Sequence, residues 1–146
     1  VPTADPLSLL RRGLLALLWL GFVGVLAELL LLEHYDGATQ WIPLVLLAVA
    51  IVVTGWHWWS GRRASLRAFQ VVMLLFVAAG LVGIALHIRG NVEFERELSP
   101  GLGGFDFWWE VLHGATPTLA PGTLVQFGLL GLLYAYRHPA LHPPGS

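Results

Sequence analysis

"GLLALLWLGFVGVLAELLLL" (residues 13–32) runs for twenty residues with a single ionisable side chain, Glu28. A bilayer core about 30 Å thick is crossed by roughly 20 apolar residues at 1.5 Å each, so this stretch alone specifies a membrane-spanning helix. Arg11 and Arg12 stand before it as they would before an export signal. The apolar run is too long and too rich in Leu for a signal h-region, and no small-residue cleavage site follows. It therefore reads as a retained helix.

Three more stretches of the same kind lie downstream, at 41–59, 68–88 and 118–136. Their ends carry the expected marks. Trp41 opens the second and "WHWW" (56–59) closes it, an aromatic belt at headgroup depth. Pro43 and Pro121 fall in first turns, where a missing N–H costs little, and Pro139 stops the last helix. The whole chain agrees: of 146 residues, 56% are hydrophobic and 12% charged, outside the range of soluble domains. The expected fold is a single transmembrane domain over 1–146, an all-α bundle of four spans.

Charge sets its direction. Arg11, Arg12, Arg62, Arg63, Arg67 and Arg137 fall on one side of the alternating spans, and only Arg89 and Arg96 on the other. By the positive-inside rule both termini are cytoplasmic, in a bacterial inner membrane. The opposite side gathers Glu33, Asp36, Glu93, Glu95, Glu97, Asp106 and Glu110.

The long connection, 89–117, is expected as an outer loop. In "GNVEFERELSP" (90–100), Val92, Phe94 and Leu98 alternate with Glu93, Glu95 and Glu97, the period of an extended segment with one acidic edge. It reads as a solvated or partner-contact loop. Calcium would also need carbonyl ligands in a fixed loop, and no EF-hand pattern is present. "GGFDFWWEVLHG" (103–114) puts Phe105, Trp108, Trp109 and Leu112 on one helical face, predicting a short amphipathic helix on the outer membrane surface, with Trp108 and Trp109 as contact residues. The tail "RHPALHPPGS" (137–146) has no core of its own.

Inside the spans, small and polar residues recur together. Gly21, Gly24 and Glu28 share a face of the first span at i, i+3, i+7, and Gly80, Gly83 and His87 repeat that spacing in the third. Small-residue stripes let helices approach closely, and an acid within a span costs up to a few kcal/mol. The two stripes are expected to pack together as a clasp, with Glu28 near His87. A proton or ion relay at Glu28, or a lipid-facing Glu28 that snorkels, are the alternatives. Gly128, Gly131 and Ala135 form a further stripe in the fourth span.

Other chemistry is thinly supplied. The chain has no Cys, which removes disulfides, thiolate metal sites and Cys nucleophiles, and all its basic residues except His are Arg, which removes a Schiff-base lysine and a P-loop. A net charge of −1 offers nothing to nucleic acid. The serines lack a nucleophile-elbow context. His34, His87 and His113 share the outer side and, with Glu28 or Glu33, have the ligand types for zinc, but none has the i, i+4 spacing of a strong site. His57 and His87 lie at opposite ends of their spans, so a single haem cannot use both. His57, flanked by Trp56, Trp58 and Trp59, has the chemistry to ligate a pigment magnesium; its plainer reading is an interfacial anchor.

"LHIRGNVEFERELSP" (86–100), "PTLAPGTLVQFGLLGLLYAYRHP" (117–139) and, more loosely, "EHYDGATQWIPLVLL" (33–47) resemble a group of small bacterial four-helix integral membrane proteins. That resemblance implies four spans and a bacterial source, and brings no activity or catalytic residue. The expectation is a non-catalytic accessory subunit that packs against other membrane subunits and lipid. It would hold no cofactor of its own, though it could touch lipid or pigment bound by its neighbours. A photosynthetic reaction-centre and antenna assembly is the first host considered and a respiratory complex the second. The competing classes are a small ion or proton transporter centred on Glu28 and a metal or haem protein using the outer histidines.

Overall fold

The computed structural model describes residues 5–141, and every regular element in them is helical. Helix α1 (Pro6–Leu31) starts where Pro6, which has no N–H to leave unpaired, follows Asp5, whose side chain accepts from the Leu7 N–H. A 3₁₀ turn, Ala38–Gln40, is closed by the Gln40 side chain accepting from the Gly37 N–H at 3.0 Å, and it feeds α2 (Trp41–Ser60). Gly61 ends α2 at φ 57°, a left-handed cap that a glycine adopts without Cβ strain, with its N–H on the His57 carbonyl. The chain then turns within two residues into α3 (Arg63–Leu98). Helices α4 (Gly104–His113) and α5 (Gly122–Ala135) follow, and a 3₁₀ turn at Pro139–Leu141 ends the described chain.

Three of these segments are long and apolar enough to cross a membrane: Pro6–Leu31, Ala38–Ser60 and Arg63–Leu98. The fourth expected span, 118–136, is helical only over the 14 residues of α5, about 21 Å of rise. Thr118–Pro121 form turns in place of a first helical turn, so α5 is short for the hydrocarbon thickness.

Helix α3 is the centre. It packs most extensively on α5, then on α2, while α1 lies against α2 and touches α5. Phe22, Phe69, Phe76, Leu18, Leu47, Leu66 and Met73 are fully buried in the middle. Phe22 reaches across from α1 to meet Phe76 edge-on at 5.4 Å and Phe127 at 5.2 Å, contacts worth about 0.5–1.5 kcal/mol each beyond burial.

The α3–α5 contact is a glycine seam. A Cβ on Gly80 would stand 2.6 Å from a Val125 methyl and 2.9 Å from the Pro121 carbonyl; one on Gly83 would stand 2.7 Å from the Pro121 ring. From the other side, a Cβ on Gly128 would lie 2.6 Å from the Met73 carbonyl, and one on Gly131 would run into the Met73 side chain. Only glycine lets the two backbones come this close, and in lipid such contact replaces the hydrophobic drive that holds soluble helices together.

Two expectations are corrected here. The segment 89–98 is not an extended loop: α3 continues unbroken to Leu98, 36 residues and about 54 Å long. Glu, Arg and Leu are good helix formers, Arg89 pairs with Glu93 one turn on at 2.8 Å, and Asn91 and Glu95 fall on one buried face at i, i+4. The period-two pattern was a coincidence over seven residues. The fourth span is the other, since its helix begins only at Gly122 and not at 118; Ala140 and Leu141 of the tail pack on the core cluster of the bundle, and residues 142–146 lie outside the described residues.

The expected amphipathic helix is α4, with Phe105, Trp108, Trp109 and Leu112 all exposed and Val111 buried beneath them. Its tryptophans and phenylalanine turn away from the bundle.

Candidate functional site

Polar side chains are concentrated in two nodes, one at each end of the bundle. The first lies where the start of α1, the end of α2, the start of α3 and the end of α5 meet. His57, on the last turn of α2, is buried, and both its ring nitrogens are engaged: Nδ1 with Ser65 Oγ and Nε2 with Tyr134 Oη, each at 2.9 Å. Ser65 donates to the Arg62 carbonyl at 2.8 Å and accepts from Ser60 at 2.9 Å. Beyond Tyr134, its hydroxyl lies 3.4 Å from His138 Nε2, and His138 Nδ1 accepts from the Ala140 N–H at 3.2 Å.

These bonds fix the protons by consistency. Because His138 Nδ1 accepts, the neutral ring carries its proton on Nε2 and donates to Tyr134. Tyr134 then donates to His57 Nε2, His57 Nδ1–H donates to Ser65, and Ser65 donates to Arg62. The chain runs in one direction from a half-buried imidazole to a backbone carbonyl. Burial, then the neighbouring His57 and the Arg11 guanidinium, push His138 down to about 4 from the usual 6.5, so its ring is neutral at pH 7. Arg11 ties the same end together, donating from Nη2 to the Tyr136 carbonyl at 3.3 Å and the Arg137 carbonyl at 3.1 Å, across the turn in which Arg137 adopts φ 48°.

The second node is Asn91. Its amide nitrogen donates to the Val111 and Thr116 carbonyls, both at 2.9 Å, and reaches Thr118 Oγ1 at 3.1 Å. Its Oδ1 accepts from the Thr116 N–H at 3.0 Å and the Thr116 hydroxyl at 2.8 Å. One buried side chain thus holds the end of α4 and the whole "GATPT" turn (114–118) on α3. Gly114 lies so near that a Cβ there would stand 2.8 Å from Asn91 Cγ. The nearby His87 pins the same loop, through Nδ1 and the Pro117 carbonyl at 3.0 Å.

The residues singled out from the sequence fall differently. Glu28 is exposed on α1 and His87 bonds to Pro117, so the clasp between them is not formed. The α3 stripe, Gly80 and Gly83, faces α5, while on α1 Gly21 receives the Phe127 ring and Gly24 has nothing within 4 Å of a built Cβ. Spacing identified the faces and misassigned their partners. His34, His87 and His113 do not converge: among the described residues no three potential ligands come together, and His113 Nδ1 is bonded to the Trp109 carbonyl within its own helix. His57 has both ring nitrogens on protein partners, so ligating a pigment metal would require breaking one of its two buried hydrogen bonds. Of the three loop acids, Glu93 is exposed and paired with Arg89, Glu97 is exposed, and Glu95 is buried.

Sequence reading missed both nodes. A weak signal was there: His57 and Tyr134 stand at equal depth near the same end of their spans, and Asn91 is the one carboxamide on the inward face of the projecting part of α3. Comparison with protein families, with curated proteins and with solved structures finds no match for this chain.

Proposed function

We propose that this protein is a non-catalytic packing subunit of a larger bacterial membrane assembly, with α1, α2, α3 and the short α5 as four spans and both termini cytoplasmic. Six of eight arginines at the end holding the His57 node support that orientation. The observation that carries the function is the placement of Gly24 and Glu28. They are exposed on the outer side of α1, a close-approach stripe with a polar group at its end, left without a partner in the described chain. Within lipid, such a stripe is stabilised by another helix that brings a polar group to Glu28.

The centre of the bundle supports the same reading against transport. Between the two nodes the interior is filled by Phe22, Phe76, Met73 and their neighbours, and the polar groups of both nodes are bonded to each other. Among the described residues the buried side chains between the nodes are apolar apart from Thr54. Between photosynthetic and respiratory hosts the fold gives no preference, because His57, the residue with pigment chemistry, uses both ring nitrogens on protein partners.

The test is Gly24→Leu. Gly24 is exposed and a Cβ there meets nothing within 4 Å, so the bundle should keep its fold and stability, while a neighbour packed on the stripe is displaced. In native membranes extracted with mild detergent, the wild type should run in a complex well above its own mass and Gly24→Leu should run alone. A wild type that runs alone, or a Gly24→Leu variant that stays in the complex, refutes the proposal.

A further inference from the structure

Two cavities flank Arg11 where α1 meets α5. One, about 510 Å³, is lined by Ser8, Arg11, Arg12, His57, Tyr134 and His138 among others. The second, about 440 Å³, is an apolar groove whose walls include Leu7, Leu10, Leu14 and Leu133, and it shares Arg11 and Tyr134 with the first. A cationic hollow and a hydrocarbon-lined groove thus adjoin at Arg11 and Tyr134.

The charges in the hollow are unbalanced. Among the described residues no carboxylate lines it, and the nearest acid in sequence, Asp5, is occupied in capping α1. Arg11 spends Nη2 on two carbonyls and keeps Nε and Nη1; Arg12 makes no hydrogen bond or ion pair among the described residues. A guanidinium pair of this kind matches the oxygens of a phosphate, and basic pockets between membrane helices hold lipid headgroups on the same principle.

We propose that these joined cavities bind an anionic phospholipid. Its phosphodiester lies between Arg11 and Arg12 beside Ser8, and one acyl chain follows Leu10, Leu14 and Leu133. The groove is what favours a lipid over a free phosphate, because an inorganic ion leaves the apolar half of the site unused. The site is independent of the Gly24–Glu28 stripe, which lies at the other end of α1.

Native mass spectrometry of the purified full chain in detergent tests this, with phosphatidylglycerol, phosphatidylcholine and inorganic phosphate as separate probes. Arg12→Gln is the informative variant, since Arg12 holds no structural bond, unlike Arg11. Arg63→Gln, at the same end but outside both cavities, controls for general surface charge. The expected result is preferential retention of phosphatidylglycerol over phosphatidylcholine, a loss of about fivefold to tenfold in Arg12→Gln, and no change in Arg63→Gln. Equal binding of the two lipids, equal losses in the two variants, or inorganic phosphate competing at the concentration of the lipid would each overturn the proposal.

Discussion

Gly128→Ala should destabilise the bundle even though alanine is the better helix former. The added Cβ would lie 2.6 Å from the Met73 carbonyl oxygen, 2.6 Å from a Val77 methyl and 3.0 Å from the Val77 nitrogen. Two of these three atoms are backbone and cannot rotate away. Restoring ordinary contact requires α5 to move off α3 by roughly 0.7 Å, and a gap of about 0.5–1 Å forfeits between a quarter and a half of each dispersion contact. With about 0.1–0.2 kcal/mol per atom pair and a few tens of pairs along the seam, the loss is about 1–3 kcal/mol, in line with overpacked cores generally. Alanine returns up to about 1 kcal/mol of helix propensity. The net effect is about 1–2 kcal/mol of destabilisation.

Gly24→Ala supplies the contrast, because the same chemical change there meets nothing within 4 Å. It should be neutral or stabilising by up to about 1 kcal/mol, so the two variants should differ by about 1–3 kcal/mol. Equilibrium unfolding in mixed micelles titrated with SDS, followed by helical circular dichroism, measures both under one condition. If Gly128→Ala proves as stable as Gly24→Ala, the close approach of α3 and α5 is not what holds the bundle.

Replacing Asn91 with Leu should leave the Thr116 carbonyl and N–H without partners and the Val111 carbonyl with only the longer bond from the Thr118 hydroxyl at 3.3 Å, at about 1–3 kcal/mol per buried group left unpaired; amide exchange should accelerate across 111–118 while the α1–α2 contact keeps its protection. Stability should also fall with acid. His138 is held at about 4 in the folded chain against 6.5 unfolded, so between those values the unfolded chain binds more protons and stability drops as pH falls. The contribution is complete above about 6.5, and below about 4 no more of it is lost. His138→Gln should flatten the melting temperature across that window relative to the wild type, and an unchanged slope would show that another group governs it.

The three long apolar helices were legible because apolar length is a signal that no tertiary context overrides: a run such as 13–32 has one stable environment. The same holds for α4, where Phe105, Trp108, Trp109 and Leu112 recur at helical spacing whatever they face. What was not legible is pairing. A stripe at i, i+3, i+7 names a face of a helix without naming the neighbour, and Gly80 and Gly83 were as compatible with α1 as with α5. The choice was made by the Pro121 turn and Val125, which fill the hollow those glycines leave. The nodes were hidden for a similar reason. His57 and Tyr134 are 77 positions apart, and Asn91 and Thr116 are 25 apart, so neither network has a local pattern. At 89–98 the failure was one of period, because seven residues fit alternation and helix alike until Asn91 and Glu95 are known to be buried.

The distribution of these contacts also says which helix is free to trade neighbours. Helix α3 is held at both ends, by the Ser65 bonds and by Asn91, and along its middle by the glycine seam. Helix α5 shares that seam and the Tyr134 bond. Helix α1 has neither: its polar attachment is the Arg11 bond to the turn after α5, its middle is pinned by Phe22, and its far half presents Gly24 and Glu28 outward. It packs on α2 and only lightly on α5, whereas α2 and α5 both pack on the central α3. A helix so weakly owned by its own bundle is stabilised by what surrounds it. The cavities beside Arg11 and the outward placement of Gly24 and Glu28 are two consequences of one arrangement, in which α3 and α5 form a closed pair and α1 is the helix that their packing leaves most open.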